Sequence, residues 1–514
     1  MLYPIGIQSF NDLRSNGYTY VDKTHLIYRL VSTGKYYFLS RPRRFGKSLL
    51  ISTMEAYFRG RKELFEGLAI EKLEKEWRKY PVFHLDLNGK FYTTAQSLTD
   101  IINYHLFQWE TEYGLEPNGE VDTRFKAVID AAYEKTGRQV VVLIDEYDKP
   151  IVDNLLNPDL MEQFRVALQG FYSVLKAKDE KIRFGFLTGV SKIGKLSVFS
   201  GLNNLKDISL NKEYSEICGI TDCELHDYFD ESVRELGNAN ELSKEESYSK
   251  LKEMYDGYHF THNSNGVYNP FSLLNSLSDK EFREYWFETG TPTLLVNVMK
   301  KTSFDITTLS DNVFVGVDDL NGTQDIQGRP VPLFYQTGYL TIKNYDKEYQ
   351  EYRLGFPNEE VKNGFLRFIY SYYVPVNPAE GSTTTTRLSR ALREGRPEDF
   401  MRILEGIFSG ATYEIEISSE RSLQQAIYVI MELVGEYVEA ERHTSNGRID
   451  LLLQTTDYIY IIELKINSSA EEALRQIEEK GYARPFVDDK RNIYRIGVNF
   501  STKERRIEGW KIEG

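Results

Sequence analysis

Apolar positions along the first 215 residues alternate between short continuous runs and longer stretches of helical spacing. Residues 35–40, 80–87, 139–145 and 182–189 read as strands. The last two, QVVVLID and IRFGFLTG, are apolar almost throughout, as strands covered on both faces are. Residues 47–60 show helical spacing and stop at Gly60. Strands separated by helices predict a doubly wound parallel sheet. From 216 to 375 the pattern turns mostly helical, with 221–236 opening on a Thr221-Asp222 cap. Strand-like pieces near 332–344 and 351–356 complete a winged-helix-like middle domain. Residues 376–386, with Pro, Gly and a Ser/Thr run, read as a linker. Residues 387–514 return to mixed α/β, with amphipathic helices over 418–433 and 471–483.

Candidate chemistry sits where strands end. Gly46-Lys47-Ser48 lies between a predicted strand and a predicted helix, where backbone N–H groups suit phosphate. The lysine reaches terminal phosphates and the serine hydroxyl ligates Mg2+. The full phosphate-loop pattern wants glycine five positions earlier, where this chain has Arg41. Arg43 and Arg44 add charge in its place, and Phe45 and Leu49 flank the cradle. The run VVVLIDEYD ends a strand on Asp145, a Mg2+ holder, and Glu146, which orients the attacking water. Thr188 closes the next apolar strand, placed to sense the γ-phosphate.

A second cluster follows from a hairpin. RIDLLLQ and YIYIIELK flank Thr455-Thr456-Asp457, a short polar break. A turn centred there puts Asp450 opposite, or next to opposite, Glu463. Glu463 and Lys465 are two apart and share a face. Two carboxylates that close repel unless a cation or a proton lies between them. Mg2+ takes oxygen ligands, so Asp450 and Glu463 are its expected holders, with Lys465 orienting a water. Glu420 is a candidate further ligand, and Gln476 on the downstream helix a candidate partner. Arg387, Arg390, Arg393 and Arg396 recur every three residues and so can share a helical face toward nucleic-acid phosphates.

Composition narrows the rest. At 514 residues the chain exceeds one ordinary core, and 41% hydrophobic with 27% charged residues is a soluble balance. The net charge of -14 excludes a wholly basic nucleic-acid coat but allows a local basic groove. Two cysteines, Cys218 and Cys223, are too few for a disulfide framework or a four-ligand zinc site. No secretory signal and no membrane span is expected, and a cytoplasmic protein is the default.

These motifs carry a family resemblance. Asp450 followed by Glu463-x-Lys465 resembles the PD-(D/E)XK nuclease superfamily, with Ile449 in the namesake proline's place. YVDKTHLI, RPRRFGKSLL, VVVLIDEYDKPI, FLTGVSKI and YDGYHF, in that order, resemble the bacterial AAA-ATPase-like family. The resemblance implies an ATP-binding P-loop domain over 1–215, a helical middle domain over 216–375 and a restriction-endonuclease-like domain over 387–514. It further implies Mg2+, a nucleic-acid partner (DNA first) and self-association, since ATPases of this general kind often work as rings or dimers. Three functions remain open: an ATP-controlled nuclease, a nucleotide-dependent switch whose nuclease-like domain binds without cutting, and a transposase- or integrase-associated ATPase that needs a partner.

Overall fold

The alternating pattern resolves into a parallel sheet in a computed structural model. Strands β1 (Tyr36–Ser40), β2 (Val82–Asp86), β3 (Val140–Asp145), β4 (Ile182–Gly189) and β5 (Lys206–Asp207) lie in the order β2-β3-β4-β1-β5. Every pairing among them is parallel. β1 and β3 are buried at every position, which is why their sequences are apolar runs rather than alternations. Helix α1 (Lys47–Phe58) leaves the β1 loop and packs on β3. Helices α2 (Ala95–Tyr113) and α3 (Val121–Thr136) fill the crossover from β2 to β3. The structure describes all residues except 200, 201, 203, 288–292, 303, 310–312, 322–329, 374–380, 410–416, 418, 436 and 445–446.

The chain forms two units, one of Met1–Gly290, Asn297–Thr302 and Asp311–Val361, the other of Thr291–Val296, Ser303–Ser310 and Lys362–Gly514. In the first, the middle segment supplies helices α4 (Asp222–Ala239), α5 (Lys244–Tyr255) and α6 (Pro270–Asp279) around Leu225, Phe229, Leu251, Tyr255 and Leu273. Thr221 caps α4 in a reciprocal box with Glu224, as its sequence predicts. A three-stranded antiparallel sheet follows: β6 (Val313–Gly316), β7 (Thr341–Asp346) and β8 (Glu351–Gly355), in the order β6-β8-β7. The strand expected from 332 starts only at Thr341, because Val331–Thr337 is a helix stopped by Gly338 at φ 92°.

The second unit is built on a mixed sheet of β9 (Tyr437–Thr444), β10 (Gly447–Gln454), β11 (Tyr458–Ile466), β12 (Asn492–Ser501) and β13 (Arg506–Glu513). Their order is β13-β12-β11-β10-β9, and β11–β12 is its parallel pair. That pair needs a crossover, which a helix over Ala470–Lys480 provides. Helices α7 (Gly381–Arg393), α8 (Pro397–Ser409) and α9 (Glu420–Val434) lead into the sheet; the Ala470–Lys480 crossover is α10. The expected linker is therefore helical from Gly381 onward, and its residues 376–380 lie outside those described. No described helix is long and apolar enough to cross a membrane. Cys218 is buried, Cys223 exposed, and both are free thiols.

Candidate functional site

Strand order assembles the first site. β4 lies between β1 and β3, so Thr188 stands between the phosphate loop and Asp145. Its hydroxyl donates to Asp145 Oδ1, which also accepts the Glu146 N–H at 3.0 Å. Lys47, buried at the start of α1, donates to the Arg41 and Pro42 carbonyls at 3.1 Å each. Arg44 and Gly46 take φ of 70° and 85° around Phe45, the alternation from which anion-binding nests are made. Glu146 takes φ 52°, a strained value for a non-glycine residue and one found at working sites. Burial pushes its carboxyl up, against the pull of Lys47.

A cavity of about 380 Å³ opens beside Lys47 and Glu146. Arg43, Arg44, Gly46, Lys47, Ser48, Leu49 and Glu146 line it together with the apolar Ile5, Ile7, Phe271 and Leu274. That mixture of charged and apolar lining fits a nucleotide. Two other motif residues have holding roles. Tyr147 Oη donates to the Ser191 and Ile193 carbonyls, and buried Asp148 accepts from Val190 N, Ser191 N and Ser191 Oγ.

The arginine that replaces the loop glycine is structural. Arg41 is buried, donating to the Ser40, Ser209 and Tyr214 carbonyls at 2.8–3.0 Å. Its guanidinium lies 3.8 Å over the Phe260 ring. Phe45 is no ligand side chain either, for it is buried edge-on against Tyr258 and Phe260. Pro42 abuts Gly338, where a Cβ would come within 2.6 Å. The Arg43 carbonyl accepts Trp286 Nε1 at 3.5 Å, and Arg44 lies 4.6 Å over Phe271. Every loop residue from 41 to 45 thus rests on the segment after residue 256, including YDGYHF. This external grip supplies what glycine flexibility supplies elsewhere, and no local sequence rule foretells it.

The second site lies at the end of β11. Pairs Leu451↔Ile462 and Leu452↔Ile461 set a register that carries Asp450 to Glu463. Asp450 Oδ2 accepts Leu464 N at 2.9 Å. Glu463, 1% exposed, accepts Lys465 Nζ at 3.3 Å and Gln476 Nε2 on one oxygen, while its other oxygen has no partner. Burial, reinforced by Asp450 and opposed by Lys465, pushes Glu463 up to about 8. Burial also raises Asp450, against the pull of Leu464 N–H and Lys465. Burial alone would lower Lys465, but Glu463 and Glu420 outweigh it and hold the ammonium above its ordinary value.

This donor set fits a hard cation: a buried carboxylate oxygen without a partner beside a second carboxylate of raised pKa. Glu420 stands nearby but reaches Lys465, at 3.8 Å, rather than the carboxylates. Among the described residues no three His, Cys, Asp or Glu side chains converge as a metal cluster. Two contributors carry no sequence motif. Gln424 donates to the Asp450 carbonyl at 2.7 Å. Gly497 pairs with Glu463, and a Cβ there would lie 2.3 Å from the Ala470 carbonyl, so its bareness lets α10 approach and Gln476 reach Glu463. A glycine inside a strand was the one available signal. Farther off, Arg387, Arg390 and Arg393 are exposed on α7, opposite buried Leu388, Ala391 and Leu392. Arg396 lies beyond that helix and pairs with Glu394 and Asp399.

Comparison with known proteins agrees with the two-part architecture. The family described as "Predicted AAA-ATPase" matches residues 4–199, and the PD-(D/E)XK nuclease superfamily matches 418–510. A protein of Azotobacter chroococcum mcd 1, described as an uncharacterized protein in the vnfD 5' region, is 34% identical over 522 residues. That match covers 99% of this chain and 98% of the relative. Among solved structures, the ORC2 protein of Aeropyrum pernix, in ADPNP-ADP complexes, is similar at 11% identity and a TM-score of 0.26, over 68% of this chain and 94% of that one. Matched nearly end to end by its Azotobacter relative, the chain belongs to the AAA-ATPase-like family and carries a C-terminal domain of the PD-(D/E)XK nuclease superfamily.

Proposed function

We propose that the protein binds and hydrolyses ATP in the Lys47–Glu146 cavity and thereby controls a Mg2+-dependent nuclease centred on Asp450, Glu463 and Lys465. The observation that carries the nuclease reading is the orphaned oxygen of Glu463 beside Asp450. Burying two carboxylates at a sheet end with one ammonium, Lys465, against them is costly, and a bound cation removes the cost.

In the first site Lys47 leaves its carbonyl partners for the terminal phosphates, and Arg43 and Arg44 line the same cavity. Ser48 and Asp145 hold Mg2+, with Thr188 fixing the Asp145 carboxylate. Glu146, at its strained φ and with a raised pKa, orients and deprotonates the attacking water. In the second, Asp450 and Glu463 hold the cation, which when bound polarises the phosphodiester and acidifies a water. Lys465 orients that water, and Gln476 keeps Glu463 in place. Arg387, Arg390 and Arg393 offer a phosphate-contacting face on α7.

A second reading, a nucleotide-dependent switch that binds nucleic acid without cutting, draws on one observation: Glu420 is engaged by Lys465 instead of completing a three-carboxylate set. One assay separates the two. Pure protein is given single- and double-stranded DNA and RNA with Mg2+ or Mn2+, with and without ATP, beside Asp450→Ala. Cleavage that Asp450→Ala lacks is the expected result. Equal cleavage by the variant overturns the site assignment, and binding without cleavage moves the conclusion to the switch.

A further inference from the structure

A short piece of the middle of the chain is built into the nuclease-like unit. Ser303–Ser310, like Thr291–Val296, fold with Lys362–Gly514, while Asn297–Thr302 between those two pieces and Asp311–Val361 after them fold with the nucleotide-binding unit. The piece makes one 3-10 turn, Ile306–Leu309, with Ile306 and Leu309 buried.

Asp305 ties this piece to α9. Its side chain is 8% exposed. One carboxylate oxygen accepts Thr307 N at 3.0 Å, Thr307 Oγ1 at 2.7 Å and Gln425 Nε2 at 3.2 Å. The other accepts Arg421 Nε at 3.2 Å and Nη2 at 2.8 Å. Burial would raise this acid, but Thr307 and Arg421 outweigh it and hold it below the ordinary value.

The register on α9 makes the tie functional. Glu420 and Gln424, one turn apart, serve the metal site through Lys465 and the Asp450 carbonyl. Arg421 and Gln425 form the neighbouring stripe, about 100° round the helix, and Asp305 holds both. One carboxylate therefore holds the stripe of α9 that adjoins Glu420 and Gln424.

We propose that Phe304–Leu309 is a strap through which the nucleotide-binding unit sets the nuclease site, with Asp305 as its positioning residue. The proposal rests on the reading of an ATP-controlled nuclease. A shift in either flank displaces the strap, rotates the first turn of α9, and changes how Glu420 meets Lys465 and how Gln424 supports Asp450. Loss of such supporting partners costs about 10–100-fold in metal affinity or activity at comparable sites.

The test uses the full chain with Asp305→Ala, Arg421→Ala and the exchanged pair Asp305→Arg/Arg421→Asp. Arg421, 61% exposed at its side chain, is removable with less risk to folding. Three quantities are measured: ATP hydrolysis, Mn2+ binding by calorimetry, and cleavage of labelled DNA with and without ATP. Each single variant should hydrolyse ATP like wild type and bind Mn2+ about tenfold more weakly. The factor by which ATP changes cleavage, about 5–150-fold for a typical coupling, should fall to near one. The exchanged pair should recover part of both losses, which traces them to the Asp305–Arg421 ion pair and not to the other contacts of either side chain. Single variants that keep the ATP response overturn the strap, as does wild type cutting with no response to ATP. A wild type that never cuts overturns the nuclease reading itself, and the strap with it.

Discussion

In the metal-free protein, Glu463→Gln should match wild-type stability only below the ordinary glutamate value and exceed it by a margin that grows from pH 6 to pH 9, because an amide copies the protonated acid. Burial, then the Asp450 carboxylate, pushes Glu463 up to about 8. The native state thus holds a proton that the unfolded chain has released above the ordinary glutamate value. Stability is present in full below that ordinary value and is lost as pH rises through the window up to about 8. At roughly 1.4 kcal/mol per pH unit, the whole window amounts to about 5 kcal/mol. The part above pH 6 is about 3 kcal/mol. Glutamine has no proton to lose, and it relieves the repulsion felt by Asp450. The assay is hydrogen exchange of the β11 and β12 amides in EDTA across this range, read as opening free energies. The gap between variant and wild type should widen by about 3 kcal/mol from pH 6 to pH 9. Parallel pH profiles, or a variant less stable than wild type at the alkaline end, would refute the reasoning. Mg2+ should reverse the order, stabilising wild type and leaving the variant unmoved.

Three further predictions concern the first site. Arg41→Gly, which restores the phosphate-loop glycine, should destabilise the first unit by about 2–4 kcal/mol and weaken ATP binding, since it empties a buried site of three carbonyl hydrogen bonds and a ring contact; thermal unfolding and nucleotide titration check both. Thr188→Val should lower ATP turnover roughly 10–100-fold at little cost in ATP affinity, as it removes the donor to Asp145; steady-state kinetics separate the two. ATP turnover should fall with acidification through a carboxylate of raised pKa, because Glu146 acts deprotonated and burial raises it; a limb that persists in Glu146→Gln would assign it elsewhere.

What was legible in the sequence is what neighbouring residues decide among themselves. Apolar runs gave β1, β3 and β4 because strands covered on both faces have no polar positions to spare. The Gly46-Lys47-Ser48 turn, the Asp145-Glu146 strand end and the Asp450–Glu463 hairpin are likewise local, and a period of two places Glu463 and Lys465 on one face. The middle of the chain read less well: 332–338 looks like a strand, but tertiary packing makes Val331–Thr337 a helix.

The rest was decided by residues far apart in the chain. Whether Arg41 is a damaged motif or a structural post depends on Ser209, Tyr214 and Phe260, more than 160 positions away. Gly497 matters only because α10 crosses it, and Asp305 only because α9 brings Arg421 and Gln425 to it. No spacing rule encodes such meetings, since periodicity reports which face a side chain is on and not what that face will meet. The sequence alone determined the kinds of chemistry this protein carries at its strand ends. Tertiary structure decided which groups hold that chemistry in place, because burial and long-range hydrogen bonding exist only once the chain has closed on itself.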